Sequence, residues 1–339
     1  MRAMAVTDYS DPLRPIDAPE PILREGWALV EVMTCGVCFS DVKTSRGQMP
    51  FSDRLNLPHI PGHEVFGRVV RTDPPGLVAA GTTAIVFHYW PCGRCEACRR
   101  GDETLCSQLV AWMGFTDPGG FAEQIAVPLD RLVAVPAGID PVHAAPMSCA
   151  LGTAYRSVIT RGNVRAGASV AIIGLGGVGI HAAQIASVAG ARVVGVDVHE
   201  PTIEAALELG VSSRRADDPD LSGLFGGVDV VVDTVGHADT LDLADRLVRR
   251  GGRIVGVGYS PTTAVRVATP RFVLDEIELV GSRYAHRDDM ERAVRLVADG
   301  DVRTVVGLVR PLEAVNDVFA ALESGSVVGR AVLDVAGVT

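Results

Sequence analysis

At 339 residues the chain is long enough for two domains. It is 47% hydrophobic and contains 37 glycines, and no apolar run approaches the roughly eighteen residues a membrane span needs, so ordinary cores and no spanning helix are expected. A net charge of −10, from 31 basic and 41 acidic side chains with no basic cluster, argues against nucleic acid or anionic lipid as a partner.

The N-terminus, MRAMAVTDYSDPLRP, has no apolar signal core and no cleavage site, so a cytoplasmic location is expected. The first chemically dense segment is C-G-V-C-F-S-D, from Cys35 to Asp41, and the second is P-G-H-E, from Pro61 to Glu64. Each has a plain reading as well as a metal-binding one: a free cysteine is commonly a small buried hydrophobe, and a single histidine is often a hydrogen-bonded core residue. Next comes PCGRCEACRRGDETLC, in which Cys92, Cys95, Cys98 and Cys106 follow the spacing C-x2-C-x2-C-x7-C. Four thiolates this close suit a tetrahedral structural zinc, and a charged loop without its own core gains fixed shape from a metal. Two disulfides would require an oxidising compartment, and seven cysteines cannot all pair within one chain. Cys149 then stands alone in PMSCALGTAY.

The second half changes pattern. SVAIIG (169–174) reads as a buried strand, followed by Gly174-Leu175-Gly176-Gly177-Val178-Gly179, a small-residue helix, and the strand RVVGVDV containing Asp197. This is strand, G-x-G-x-x-G, helix, strand and acid, the order of a dinucleotide-binding unit. Gly174 permits the turn, Gly176 lets backbone approach a pyrophosphate, and Gly179 lets helix and strand pack closely. The helix N-terminus favours phosphate. Asp197 suits a ribose diol and repels a 2′-phosphate, which favours NAD over NADP; no arginine follows it closely in the chain. PTIEAALELG predicts a helix, 211–227 a short strand and a loop, VDVVVDTVG a buried strand, DTLDLADRLVRRGG a helix, and RIVGVGY a strand. Such alternation predicts a doubly wound parallel sheet. Two more helical patterns, DDMERAVRLVADG and LEAVNDVFAALESG, precede a last strand, GRAVLDV.

Taken in order, GVC-x-S-D, GHE, the four-cysteine loop, the lone cysteine and GLGGVG make the chain resemble the zinc-dependent medium-chain alcohol dehydrogenases over nearly its whole length. The resemblance implies a Rossmann domain over 151–283 and a mainly β, GroES-like catalytic domain from 1–150 and 284–339. It implies two zinc ions per chain, one structural and one catalytic. Composition does not rank Cys35, Cys38 and Cys149; the resemblance makes Cys38, His63 and Cys149 the catalytic ligands, with a fourth position for water or substrate. It makes Glu64 a zinc-side carboxylate, Asp41 the acid that orients the zinc histidine, and Ser40 the hydroxyl that passes a proton outward. Thr153, Val178, Val257, Ser282 and Tyr284 would contact the nicotinamide end, and Arg330 the pyrophosphate.

The implied reaction is reversible hydride transfer between an alcohol and NAD, with an aldehyde or ketone as the oxidised partner and zinc lowering the pKa of the alcohol hydroxyl. Lys43 and Phe39 stand where many relatives carry a relay histidine and a basic residue. His88, Trp112 and Phe115 are candidates for the substrate wall. A homotetramer is favoured over a dimer. Two other readings account for fewer motifs: a zinc-free NADPH-dependent reductase, and a non-catalytic redox sensor with structural zinc only.

Overall fold

The Val-rich runs of the second half become strands buried on both faces. A computed structural model of the chain describes residues 1–260 and 262–338, with backbone alone at 222, 224 and 225. The chain forms two units, Met1–Cys149 with Val306–Thr339, and Ala150–Val305.

In the second unit, six parallel strands lie in the order Ser213–Arg215, Arg192–Asp197, Ser169–Ile173, Val228–Asp233, Val248–Gly256, Glu278–Gly281. By order of appearance this is 3-2-1-4-5-6, so the strand order reverses beside Ser169–Ile173, where dinucleotides bind in such sheets. Every residue of Ser169–Ile173 is buried. The helices Gly179–Val188, Glu200–Glu208 and Ala238–Leu247 connect the strands, and Leu243, Ala244 and Leu247 join the core with Ile173, Val194 and Val231. The helix predicted over 239–252 stops at Leu247. Val248 already pairs with Val228, and an irregularity between Val228 and Val230 absorbs the Arg249–Gly252 segment.

Residues 284–305 do not return to the first domain. Helix Arg287–Ala298 packs in the second unit, where Met290 fills the space a side chain at Gly152 would need. Arg156 Nη1 lies 3.0 Å from Asp289 Oδ2, Thr160 donates to the same carboxylate, and both charged partners are buried. These contacts move the return crossing to Val306.

The first unit is built on the eleven-residue strand Trp27–Val37. One edge pairs with Glu64–Asp73; the other pairs with Gln124–Pro128 along its first half and with Arg330–Asp334 along its last. Thr83–Val86, Leu132–Ala134 and Val306–Pro311 extend this sheet. Val30, Val32, Val65, Val86, Phe121 and Leu333 lie in its core. The cysteine loop is not wholly irregular, because two helical turns, Glu96–Arg99 and Glu103–Leu105, lie between Cys95 and Cys106.

Candidate active site and metal centres

Strand Trp27–Val37 delivers Cys38 to the start of helix Phe39–Ser45, and strand Glu64–Asp73 begins one residue after His63. The Pro61-Gly62-His63 turn needs glycine, since Gly62 has φ +98° and a Cβ there would meet the Phe121 ring at 2.5 Å. Cys149 follows the 3-10 turn Ala145–Ser148. The ligand atoms of Cys38, His63 and Glu64 lie within 4.8 Å of one another. Cys149 shares a hydrogen bond with Cys38.

Asp41 is fully buried and acts on two of these groups. Its Oδ1 lies 2.9 Å from His63 Nδ1, and its Oδ2 accepts the Cys38 N–H at 2.8 Å. His63 is therefore fixed with Nε2 as the available ligand atom. Burial pushes the His63 pKa down, but the Asp41 charge and hydrogen bond, with help from Cys38, raise it to about 10. The hydrogen bond from Cys149 holds Cys38 well below the usual thiol range, and the same contact pushes Cys149 well above it. The pair thus favours the thiolate at Cys38, the form a metal ligand takes, with Cys149 as its donor.

Glu64 has no exposed surface. Burial raises its pKa to about 8 against the opposing pull of Arg330. Arg330 Nη2 is 2.9 Å from Glu64 Oε1, an ion-pair distance, but its angle does not make a hydrogen bond. Both carboxylate oxygens thus lack a donor among the described residues, and His63 Nε2 is 4.0 Å from Oε1. Arg330 meets only part of the cost of burying these oxygens without hydrogen-bond donors, and a carboxylate grouped with the Cys38 thiol and the His63 ring is a donor set that fits a divalent cation. Arg330, assigned by resemblance to a pyrophosphate, is only 5% exposed and lies against this carboxylate.

Ser40 is half-buried in the first turn of helix Phe39–Ser45. Lys43 places Nζ 5.8 Å from the centroid of the exposed Phe39 ring, and burial lowers its pKa against the charge of Cys38. An aromatic group adjoins the histidine. Phe115 lies 4.5 Å from the His63 ring, His88 meets it edge-on at 4.9 Å, and Trp112 packs on Phe115 at 4.3 Å. Phe51, not among the sequence candidates, touches both Trp112 and Phe115.

In the cysteine loop, Cys95 and Cys98 sulfurs are 3.4 Å apart, Cys95 and Cys106 3.9 Å, and Cys92 and Cys98 4.0 Å. Four sulfurs at about 2.3 Å from zinc would be about 3.8 Å apart, so the group fits that ion. Backbone N–H donation near Cys98 and Ser107 lowers Cys95 to about 5.

In the second unit, Gly174 takes φ +83° and Gly179 packs against it so closely that a Cβ would lie 1.7 Å from the Gly174 carbonyl oxygen. Thr234 Oγ1 lies 2.9 Å from that oxygen, holding the turn from the next strand. Gly176, Gly177 and Val178 retain solvent exposure. Asp197 Oδ2 accepts the Leu175 N–H at 2.6 Å, which ties the acid to the glycine turn. Val257 and Ser282 follow two strands paired at Gly256 and Gly281. The buried Ser282 hydroxyl has no partner among the described residues. Tyr284 is buried with φ 50°, a strained value for a tyrosine, and Thr153 is buried within helix Ala150–Tyr155.

The alcohol dehydrogenase GroES-like domain matches residues 24–137 and the zinc-binding dehydrogenase domain residues 177–299. An alcohol dehydrogenase of Geobacillus stearothermophilus is 35% identical over 99% of this chain and 100% of its own. The alcohol dehydrogenase of Aeropyrum pernix is 31% identical with a TM-score of 0.90, covering 99% of this chain and all of that one. A putative zinc-binding dehydrogenase from Sinorhizobium meliloti, bound to NADP, is 28% identical with a TM-score of 0.88, over 98% of this chain and 99% of its own. The fold and the two matched domains define the class, the zinc-binding dehydrogenases with a GroES-like and a Rossmann domain. The chain belongs to the zinc-dependent medium-chain alcohol dehydrogenase family.

Proposed function

We propose that this protein is an alcohol dehydrogenase that moves hydride reversibly between a small primary or secondary alcohol and NAD, with two zinc ions per chain. The observation that carries the reading is the convergence of Cys38 with the buried His63 and Glu64, beside Cys149. Cys38, His63 and Cys149 would hold the catalytic ion and Cys92, Cys95, Cys98 and Cys106 the structural one. When bound, zinc supplies a Lewis acid for the substrate oxygen, and NAD supplies the hydride acceptor.

The chain's own residues do the rest. Asp41 fixes the His63 ring. Glu64 and Arg330 set the local charge. Ser40, with its partial exposure, takes the substrate proton outward. The Gly174–Gly179 turn receives the pyrophosphate at a helix N-terminus, and Asp197 receives the adenosine ribose. Thr153, Val178, Val257, Ser282 and Tyr284 would line the nicotinamide end. No helix among the described residues is long and apolar enough to cross a membrane. None of the seven cysteines is joined in a disulfide, and a cytoplasmic location is part of the proposal. A homotetramer is part of the same reading.

Elemental analysis combined with a panel of alcohols tests it, following reduced-coenzyme absorbance with NAD and with NADP. Two zinc ions per chain and NAD reduction are expected. His63→Ala should keep one zinc and lose activity by at least about a thousandfold, since the substrate oxygen then has no Lewis acid. One zinc in both proteins, or no coenzyme reduction with any alcohol, overturns the reading.

A further inference from the structure

We propose that Arg215 is a second determinant of coenzyme choice: its guanidinium gives the adenosine end of the site an affinity for a 2′-phosphate, which Asp197 opposes. The inference rests on the dinucleotide reading above. Along the chain no arginine follows Asp197 closely, but the sheet supplies one from the next strand. Ser213–Arg215 pairs in parallel with Arg192–Asp197, and Arg215 is the register partner of Asp197. The Ala216 N–H donates to the Asp197 carbonyl at 2.9 Å, which pins the end of one strand to the other.

The carboxylate of Asp197 is held in place by three backbone amides: Leu175 at 2.6 Å, Val198 at 2.7 Å and His199 at 2.9 Å. An ionised carboxylate offers about four acceptor positions, so room remains for a ribose hydroxyl. The same carboxylate would repel a 2′-phosphate. Arg215 lies opposite Asp197 on the neighbouring strand. Its Nη1 donates to the Val198 carbonyl at 3.2 Å, the residue immediately after Asp197, and its side chain is 48% exposed. Arginine presents a planar fork of donors that suits phosphate.

Other charges share this corner. Asp217 pairs with Arg215 through Nε at 2.9 Å and Nη2 at 3.2 Å, and Glu200 lies 3.6 Å from Nη1. Arg214 faces Asp218 at 3.9 Å, and His199 Nδ1 is engaged with Thr202 Oγ1. With both acids exposed, these pairs are weak and screened. A dianionic phosphate would compete for Arg215 once the Asp197 charge is removed.

The test uses the zinc-loaded protein and two adenosine fragments that differ only in the 2′-phosphate, 5′-AMP and 2′,5′-ADP, titrated calorimetrically. NADH binding is measured alongside, so that failure of the dinucleotide reading is seen separately. In the wild type, 2′,5′-ADP should bind more weakly than 5′-AMP. Asp197→Asn should narrow or reverse that ratio by about tenfold or more. Adding Arg215→Ala to Asp197→Asn should weaken 2′,5′-ADP by about tenfold or more while changing 5′-AMP less than about threefold, the range for losing one charge-assisted contact to phosphate. If Arg215→Ala leaves the ratio of the two affinities unchanged in both backgrounds, the assignment of Arg215 is wrong. If the wild type binds neither NADH nor 5′-AMP, the dinucleotide site itself is wrong.

Discussion

Asp41 joins two ligands of the candidate metal centre through one carboxylate, accepting from the Cys38 backbone while facing His63 Nδ1. Asn at this position has almost the same shape, but its amide nitrogen must point a donor at one of two donors. Asp41→Asn should therefore weaken zinc at the catalytic site about 10–100-fold and leave the four-cysteine site unchanged, as read by chelator competition. Equal loss at both sites would mean the effect is general unfolding. The grouping of Cys92, Cys95, Cys98 and Cys106 was legible from spacing alone, because they lie within one loop. Cys38, His63 and Cys149 were not: they come from distant segments, and only the ordered resemblance singled them out from Cys35. Cys35 itself is fully buried, and burial pushes its thiol well above the usual range, as expected of a core residue.

At the scale of elements, the strands of the second unit were readable because valine runs bounded by glycine have few other uses. What linear order does not carry is which strands become neighbours. Arg215 lies far from Asp197 in sequence and beside it in the sheet, and Thr234 reaches the Gly174 carbonyl from another strand. Asp229 provides a comparable link. Its Oδ2 accepts both the backbone N–H and the hydroxyl of Ser169 at 2.6 Å, joining two central strands at their starts, and Arg249 Nε donates to Oδ1 at 2.7 Å. Burial raises this carboxyl, but the Ser169 bonds and Arg249 outweigh it and hold its pKa at about 2, against an ordinary 3.8. The folded group binds its proton less tightly than the unfolded one. Its contribution is therefore complete above about pH 4 and is lost as pH falls through about 2. Asp229→Asn should cost about 1–2 kcal/mol at neutral pH, and the stability gap to wild type should close across that acid window. Denaturant titrations of both proteins measure it, and a gap that stays constant down to pH 2 would count against this account.

At the scale of the whole chain, the sequence predicted two domains, but the return crossing was set too early. Amphipathic periodicity marks helix Arg287–Ala298 without saying which core receives it. The deciding contacts are the buried Arg156–Asp289 pair and Met290 over Gly152. Asp289 also accepts the His286 N–H at 3.0 Å. Asp289→Ala leaves a buried guanidinium without its partner, so a loss of about 3–5 kcal/mol is expected in the second unit. Hydrogen exchange over 150–305 would detect it, with zinc content unchanged; a loss below about 1 kcal/mol would show that the helix is held by its apolar face alone.

The strand Trp27–Val37, which carries Cys38 at its end, pairs along its last half with Arg330–Asp334, and Ala331 sits opposite Val37. On a translating ribosome that edge stays open until Arg330–Asp334 has emerged. At about 5–20 residues per second the wait is roughly 15–60 s. The four-cysteine loop needs no such late arrival and would capture a zinc ion on the nascent chain, whereas the Glu64 carboxylate meets Arg330 only after the long intervening stretch of chain has been made.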